Sequence, residues 1–344
     1  LNMNSSVNFD VVRGNDLEGL SERKEHRFEV EFVPEPPFPR EVFFDVSSAC
    51  NHWCFFCANP TQKLLKGQGL IDEKLVCRLL DEVSQNGTTQ VGLYSTGEPF
   101  MHKGLARMTA KAKSVGIPYV FISTNGALAT PKRAKPVLDA GMDSIKFSVN
   151  AGTRNSYKNV HGKDQFDLVQ EHIRWFSNYR KTSGLKYKIY VSSVQTSKNK
   201  GEWEGLKESL LPYVDEFDMR SCSNQGGNMY VNNSTETIDA SNLLGSLKPS
   251  QLKHKKCPDP FHRLVVTSEG YATVCVVDYK NYLTVANLHK NTIKEAWTNE
   301  VFVDLRKRHL SGNLDGLICK NCLHNSNDPS FPLMPEISRP HCEG

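Results

Sequence analysis

Long apolar runs are missing from this sequence. No stretch approaches the roughly 18 consecutive apolar residues of a membrane-spanning helix, so no span is expected. The opening residues, with Asn2 to Ser6, Arg13 to Asp16 and Ser21 to Arg27, are polar and lack the apolar core of a secretory signal. Charge of one sign is missing too. Lys plus Arg number 42 and Asp plus Glu 38, leaving a net charge of +4 over 344 residues, which argues against a nucleic-acid partner. No low-complexity tract occurs. What the chain does have is ten cysteines. They are too sparse for a small disulfide scaffold, and no export signal accompanies them. The expectation is a cytoplasmic protein whose thiols serve metal or catalysis. Apolar residues make up 38% and charged residues 23%, a globular composition. The length allows about two domains, or one barrel with an appendage.

From residue 40 the chain alternates between strand and helix patterns. Strand-like segments occupy 41–46, 90–95, 118–123, 144–149, 186–195 and 216–221. Helical spacing fills 72–85, 103–115, 131–140, 165–180 and 203–211. Six β units separated by five helices, with short connections, predict a parallel sheet with helices outside it. After residue 222 the rhythm breaks into a stretch rich in Asn, Ser and Gly. Residues 261–267 and 271–277 then read as a hairpin through Ser268-Glu269-Gly270, and 292–309 as a helix. Four prolines after Asn325 (Pro329, Pro332, Pro335, Pro340) predict an extended tail. The expected organisation is an arm over 1–39, a barrel over 40–222, a linker over 223–250, an extension over 251–325 and a tail over 326–344.

The sharpest feature is Cys50-Asn-His-Trp-Cys54-Phe-Phe-Cys57, on the loop that leaves the first strand. Three thiols in eight residues can cap three corners of an iron–sulfur cubane and leave the fourth iron without a protein ligand. Zinc with a remote fourth ligand is the alternative, although the spacing is not that of paired Cys-x₂-Cys knuckles.

Cys50, Cys54 and Cys57, with the aromatic Phe56 before the last of them, resemble the signature of radical S-adenosylmethionine (SAM) enzymes. The resemblance implies a 4Fe–4S cluster whose open iron binds SAM. It also implies reductive cleavage of SAM and a 5′-deoxyadenosyl radical that takes a hydrogen atom from substrate. Thr96-Gly97-Glu98-Pro99 is similar to the family's Gly-Gly-Glu-Pro motif, with Thr96 as a departure; Gly97, Glu98 and Pro99 would meet SAM, Glu98 accepting from its ammonium. Ser123 and Asn125, in Ser123-Thr124-Asn125-Gly126, stand at the end of the third strand. On the fourth strand Ile145, Phe147 and Val149 would face the helices, leaving Lys146, Ser148 and Asn150 toward the interior. Ser148 and Asn150 resemble the family's ribose contacts. Gln195, Thr196 and Asn199 are further candidates at the end of the fifth strand, since barrel sites gather at the C-terminal ends of strands. The implied fold is α/β, a partial (β/α)6 TIM-like barrel with a C-terminal cluster-binding extension.

A second set of cysteines lies downstream. Cys257, Cys275, Cys319 and Cys322, with Asn287-Leu288 and Trp297, resemble the SPASM extension of radical SAM enzymes. Four thiols imply one auxiliary 4Fe–4S cluster without an open iron, as in shortened "twitch" forms; four thiolates also suit zinc. Of the remaining three, Cys77 reads as a buried helix thiol and Cys342 as a free one. Cys222 ends the sixth strand, where alternation would point Asp218, Arg220 and Cys222 inward. Two activities follow from these readings. A radical SAM oxidoreductase would use Asp218 as base, with Tyr94 and His161 behind it, and the auxiliary cluster as electron acceptor. A radical SAM epimerase would use Cys222 as hydrogen-atom donor. A non-enzymatic zinc module is the third reading, resting on the Cys319–Cys322 knuckle and the basic run Lys253 to Lys256. An arm under 40 residues has no room for a peptide-recognition domain of about 80. The expected substrate is therefore a small polar molecule, carbohydrate- or aminocyclitol-like, with a peptide still open. A one-electron reductant such as flavodoxin or ferredoxin is implied as partner, and neither nucleic acid nor membrane.

Overall fold

A computed structural model describes residues 30–59, 69–229, 257–324 and 326–337. Most of the polar arm, the second half of the linker, the basic run Lys253 to Lys256 and Cys342 lie outside these residues.

Six strands form the expected parallel run: β1 (Glu41–Phe44), β2 (Gln90–Gly92), β3 (Tyr119–Thr124), β4 (Ser144–Ser148), β5 (Lys188–Gln195) and β6 (Glu216–Ser221). The helices between them are α1 (Glu73–Gln85), α2 (Leu105–Ser114), α3 (Pro131–Asp139), α4 (Arg154–His161), α5 (Phe166–Ser183) and α6 (Trp203–Leu210). Each strand pairs in parallel with the one before it. The sheet stays open at β6, so the barrel is partial. Side chains alternate along the strands as a pleat requires. Val42, Phe44, Val91, Ile122, Ile145, Phe147 and Val191 join the main core under the helices. Phe43 and Phe121 point the other way, into a separate inner cluster with Val265, Tyr94 and Tyr119.

The C-terminal part does not build a sheet of its own. After a helical turn, α7 (Asp259–His262), strand β7 (Arg263–Val266) pairs in parallel with β1. Strands β8 (Tyr271–Thr273) and β9 (Thr284–Asn287) then add antiparallel. The result is one nine-stranded sheet in the order β6-β5-β4-β3-β2-β1-β7-β8-β9. A buried ion pair marks the join. Glu41 sits directly opposite Arg263 in the β1–β7 register, and the guanidinium donates to Glu41 Oε2 from Nε at 2.7 Å and meets it from Nη2 at 2.6 Å. Asp259 holds the other end of Arg263 at 2.9 Å.

Several expected elements change on folding. The strand expected to start at Phe261 begins at Arg263, because Asp259-Pro260 opens a helical turn first. The helix expected over 292–309 is two helices, α8 (Ile293–Thr298) and α9 (Glu300–Ser311). Asn299 separates them by adopting extended geometry and accepting from Phe302 N–H, an N-cap inside the pattern. Two helices were not anticipated. One is α10 (Ile318–His324), which carries Cys319 and Cys322. The other is α4, only eight residues long and mostly polar. Its signals were a Thr153–Ser156 capping box and Gly162 as a left-handed C-cap. No helix among the described residues is long and apolar enough to cross a membrane.

Candidate active site

The loop after β1 carries Cys50, Cys54 and Cys57, all half-buried. It hangs from the end of α4: Trp53 N–H donates to His161 O at 3.0 Å and Phe55 N–H to Val160 O at 3.1 Å. Gly162 must be glycine there. Its φ is +67°, and a Cβ would stand 3.0 Å from Trp53 Cβ and 3.1 Å from Trp53 O. On the other side Gln225 closes the loop, its Nε2 donating to Phe56 O at 2.7 Å and its Oε1 accepting from Ala58 N–H at 3.0 Å. Phe56 packs edge-on to Phe55.

The Thr96-Gly97-Glu98-Pro99 segment lies against the same loop. Glu98 N–H donates to Ala49 O at 2.8 Å. A Cβ on Gly97 would fall 2.2 Å from Ser47 O and 2.3 Å from Ala49 O, so only glycine allows this approach. Thr96, the departure from Gly-Gly-Glu-Pro, is accounted for by Asp45, which accepts from the Thr96 hydroxyl at 2.7 Å and its N–H at 3.1 Å. The Glu98 carboxylate is fully buried and already accepts from Thr124 Oγ1 (2.7 Å), Asn125 N–H (2.8 Å) and Phe100 N–H (3.1 Å). Burial pushes its carboxyl up to about 7, against the pull of these three bonds. Glu98 thus ties the β3 exit to the motif, and an ammonium would be its fourth partner. Pro99 starts a short 3₁₀ turn behind it.

Asn125 reaches from the β3 exit to the thiols, with Nδ2 2.8 Å from Asn51 Oδ1 and 3.8 Å from Cys50 Sγ. Ser123 and Ser148 face each other across β3 and β4, their hydroxyls 3.5 Å apart. Asn150, also expected as a ribose contact, has its amide engaged by the scaffold. Its Oδ1 accepts from Val194 N–H at 2.7 Å, and its Nδ2 is turned to His161 Nε2 at 3.4 Å. Asn199 is likewise spent on scaffold, donating to Asn150 O and Val194 O while accepting from Thr196 N–H; Gln195 is exposed.

The second thiol set gathers beside the first. Cys257, Cys275 and Cys319 are half-buried and Cys322 is more open. Burial raises all four thiols, and each feels at least one neighbouring thiol or Asp259 as a further upward push. Such a group of thiolates holds together only around a multivalent cation. Tetrahedral zinc with Zn–S near 2.3 Å would bring the sulfurs to about 3.8 Å from one another. Four thiolates suit an iron–sulfur cubane as well as zinc.

One residue that sequence reasoning missed helps connect the sets. Tyr279, four residues after Cys275, places its hydroxyl 3.9 Å from Cys57 Sγ and 3.1 Å from Gln225 Oε1. Gly226 N–H donates to Asn224 Oδ1 at 3.2 Å and lies near the Cys322 sulfur, and Asn224 donates to Asn321 O at 2.7 Å. The Asn224 to Asn228 run, legible in the sequence as a cluster of amides beside Cys222 that could line the pocket by hydrogen bonds, is thus packed against both cysteine-bearing segments.

Asp218 and Arg220 do share a face of β6, as alternation predicts, but they pair with each other. The Asp218 carboxylate, expected as a base, is paired with a guanidinium. Cys222 is buried, and burial first, then nearby Cys57, pushes its thiol up to about 11. It is a protonated thiol close to the first cysteine loop. His161, a secondary candidate base, is fully buried under that loop. Tyr157, one turn before it on α4, stacks on its ring at 4.0 Å. The Tyr157 hydroxyl is buried without a hydrogen-bond partner, and the charges bearing on it are Cys54, Glu98 and Cys50. An orphan donor that feels two of these thiols and a carboxylate fits a site built to receive a bound group.

Comparison with known proteins agrees with this geometry. Residues 45–196 match the family model of the radical SAM superfamily, and residues 257–323 that of the SPASM iron–sulfur cluster-binding domain. The S-adenosyl-L-methionine-dependent 2-deoxy-scyllo-inosamine dehydrogenase of Niallia circulans is 22% identical over 283 residues, covering 81% of this chain and 90% of the relative. Among solved structures, BtrN in complex with AdoMet and 2-DOIA superposes with a TM-score of 0.55 at 20% identity, over 88% of this chain and 97% of that one. Streptococcus suis SuiB bound to precursor peptide SuiA gives 0.62 at 14% identity, over 92% and 78%.

Proposed function

The chain belongs to the radical SAM superfamily and carries a SPASM iron–sulfur cluster-binding domain, and from that premise we propose that it oxidises a small polar substrate, of the carbohydrate or aminocyclitol class, by two electrons. Membership brings a SAM-binding 4Fe–4S cluster, an auxiliary cluster and SAM. In this reading Cys50, Cys54 and Cys57 hold the first cluster, and Cys257, Cys275, Cys319 and Cys322 the second. When bound, these groups supply a hydrogen-atom acceptor and a one-electron acceptor. The protein's own residues do the rest. Glu98, Asn125 and Gly97 lock the β2 and β3 exits against the cysteine loop, so that SAM meets a rigid cradle. Ser123 and Ser148, whose hydroxyls face each other at 3.5 Å, offer further polar groups to it. Phe43, Tyr94 and Phe121 line the interior below and exclude water.

The observation that carries oxidation is the contact between the two thiol sets through Tyr279, Gln225 and Gly226. An electron leaving a substrate radical then has a short route into the second set. Relatedness to an inosamine dehydrogenase supports the substrate class. One observation favours a second reading: Cys222 is a buried, protonated thiol near Cys57, as a hydrogen-atom donor in an epimerase would be.

The test is anaerobic incubation of candidate sugars and aminocyclitols with SAM, a low-potential reductant and deuterated water. The expected product has lost two hydrogens, with one SAM consumed per turnover. A product of unchanged hydrogen count carrying one solvent deuterium would show epimerisation instead.

A further inference from the structure

The chain's most unusual unassigned group is the pair of buried imidazoles behind the cysteine loop. His52 and His161 stand with their Nδ1 atoms 3.3 Å apart, and His161 Nδ1 is also 3.5 Å from Cys54 Sγ. The protons on both rings can be placed. The backbone N–H of Asn150 points at His161 Nε2 at 3.2 Å. A backbone N–H can only donate, so Nε2 must accept, and the ring proton of a neutral imidazole then sits on Nδ1. His52 Nε2 faces Gln165 Oε1 at 2.8 Å. With its proton given to that oxygen, His52 Nδ1 is left as a lone pair. His161 Nδ1–H therefore has two acceptors, His52 Nδ1 and Cys54 Sγ. A ring whose Nε2 accepts from a backbone N–H carries a single proton and is neutral. Once Cys54 is a metal-bound thiolate it carries charge, and it becomes the stronger acceptor of the two.

We infer that His161 is a positioning residue that donates an N–H···S hydrogen bond to Cys54 and thereby raises the reduction potential of the cluster held by the first cysteine loop. The inference rests on the reading that Cys50, Cys54 and Cys57 hold that cluster. Its physical basis is differential. Reduction adds negative charge, part of which falls on the ligand sulfurs, so a donor aimed at a sulfur stabilises the reduced form more than the oxidised one. The ring is held for this task on every side. It stacks on Tyr157, packs edge-on to His52 at 5.2 Å, accepts from Asn150, and belongs to the helix turn whose carbonyls bind Trp53 N–H and Phe55 N–H. The same residue thus anchors the loop through its backbone and addresses a ligand through its side chain.

The test is an EPR-monitored redox titration of the anaerobically reconstituted full-length protein. The signal that changes on adding SAM identifies the relevant cluster. His161→Phe keeps the ring stacked but removes the N–H. The expected result is a roughly tenfold lower ratio of reduced to oxidised cluster at a fixed potential, which for one electron is about 59 mV. His161→Asn, whose amide nitrogen stands near the Nδ1 position, is expected to recover part of the shift. A His161→Phe cluster that loads iron normally and titrates like the wild type overturns the inference. Should that variant fail to load iron, the wild type decides alone. With ¹⁵N-histidine, pulsed EPR of the SAM-sensitive signal is expected to show nitrogen coupling, and its absence overturns the inference. Wild-type protein with no SAM-sensitive cluster at all would instead remove the premise about the three cysteines.

Discussion

Replacing Cys319 and Cys322 together by alanine is expected to abolish substrate oxidation while SAM cleavage continues. The two outcomes separate because the residues serve different sets. Cys50, Cys54 and Cys57, with Glu98 and Asn125 behind them, are untouched by the change. The second set loses half of its thiols, including the one beside Gly226. A cluster held by two thiolates is not retained. Without that acceptor, a substrate radical has nowhere to send its second electron. Liquid chromatography of anaerobic reactions checks this directly. The ratio of oxidised product to 5′-deoxyadenosine is expected to fall from near parity to near zero. Cys222→Ala should leave the ratio close to the wild-type value. If instead Cys222→Ala stops turnover and the Cys319/Cys322 variant keeps it, the epimerase reading replaces the oxidative one.

Arg263→Ala lowers the stability of the whole fold by about 3–5 kcal/mol, the usual effect of breaking a buried ion pair from one side. Arg263 joins β7 to β1, and two carboxylates, Glu41 and Asp259, pair with it. Burial would raise the Glu41 carboxyl, but Arg263, assisted by His262, outweighs that and holds it down at about 2. Relative to an unfolded value of 4.5, this is a depressed folded-state pKa. The corresponding stability, about 3 kcal/mol at 1.36 kcal/mol per pKa unit, is fully present above pH 4.5. It is lost as the pH falls toward 2. In Arg263→Ala the carboxylate stays buried without its main partner and takes up a proton, so this acid-range dependence disappears. Urea unfolding between pH 2 and 7 reads both effects. A variant with wild-type midpoints would show that the β1–β7 join does not depend on the pair.

Much of the site could be read from local spacing. The three cysteines, Thr96-Gly97-Glu98-Pro99 and the Thr-Asn-Gly at the β3 exit are each contiguous, and each sits at a strand end that the βα rhythm had located. The alternation of Ile145 and Phe147 with Ser148 placed the interior face correctly, because the pleat fixes it. Contacts between distant segments were not legible. Glu41 and Arg263 are 222 positions apart, and a parallel partner for β1 on its far side has no short-range signal. Asn150 looked like a ligand contact from its position at a strand end. Its amide is turned to His161 and Val194, a choice made by tertiary packing. The burial of His161 was not legible for the same reason: no apolar pattern marks its segment, and only the docking of the cysteine loop covers it.

Metal analysis of anaerobically prepared protein tests the two-set assignment most directly. Wild-type chains are expected to hold about eight iron atoms and as many sulfides, the content of two cubanes. Changing Cys50, Cys54 and Cys57 to alanine should leave about four, and changing Cys319 and Cys322 should also leave about four, with only the first change removing the SAM-sensitive EPR signal. Zinc in place of iron at the second set, or iron that survives both changes, would contradict the account.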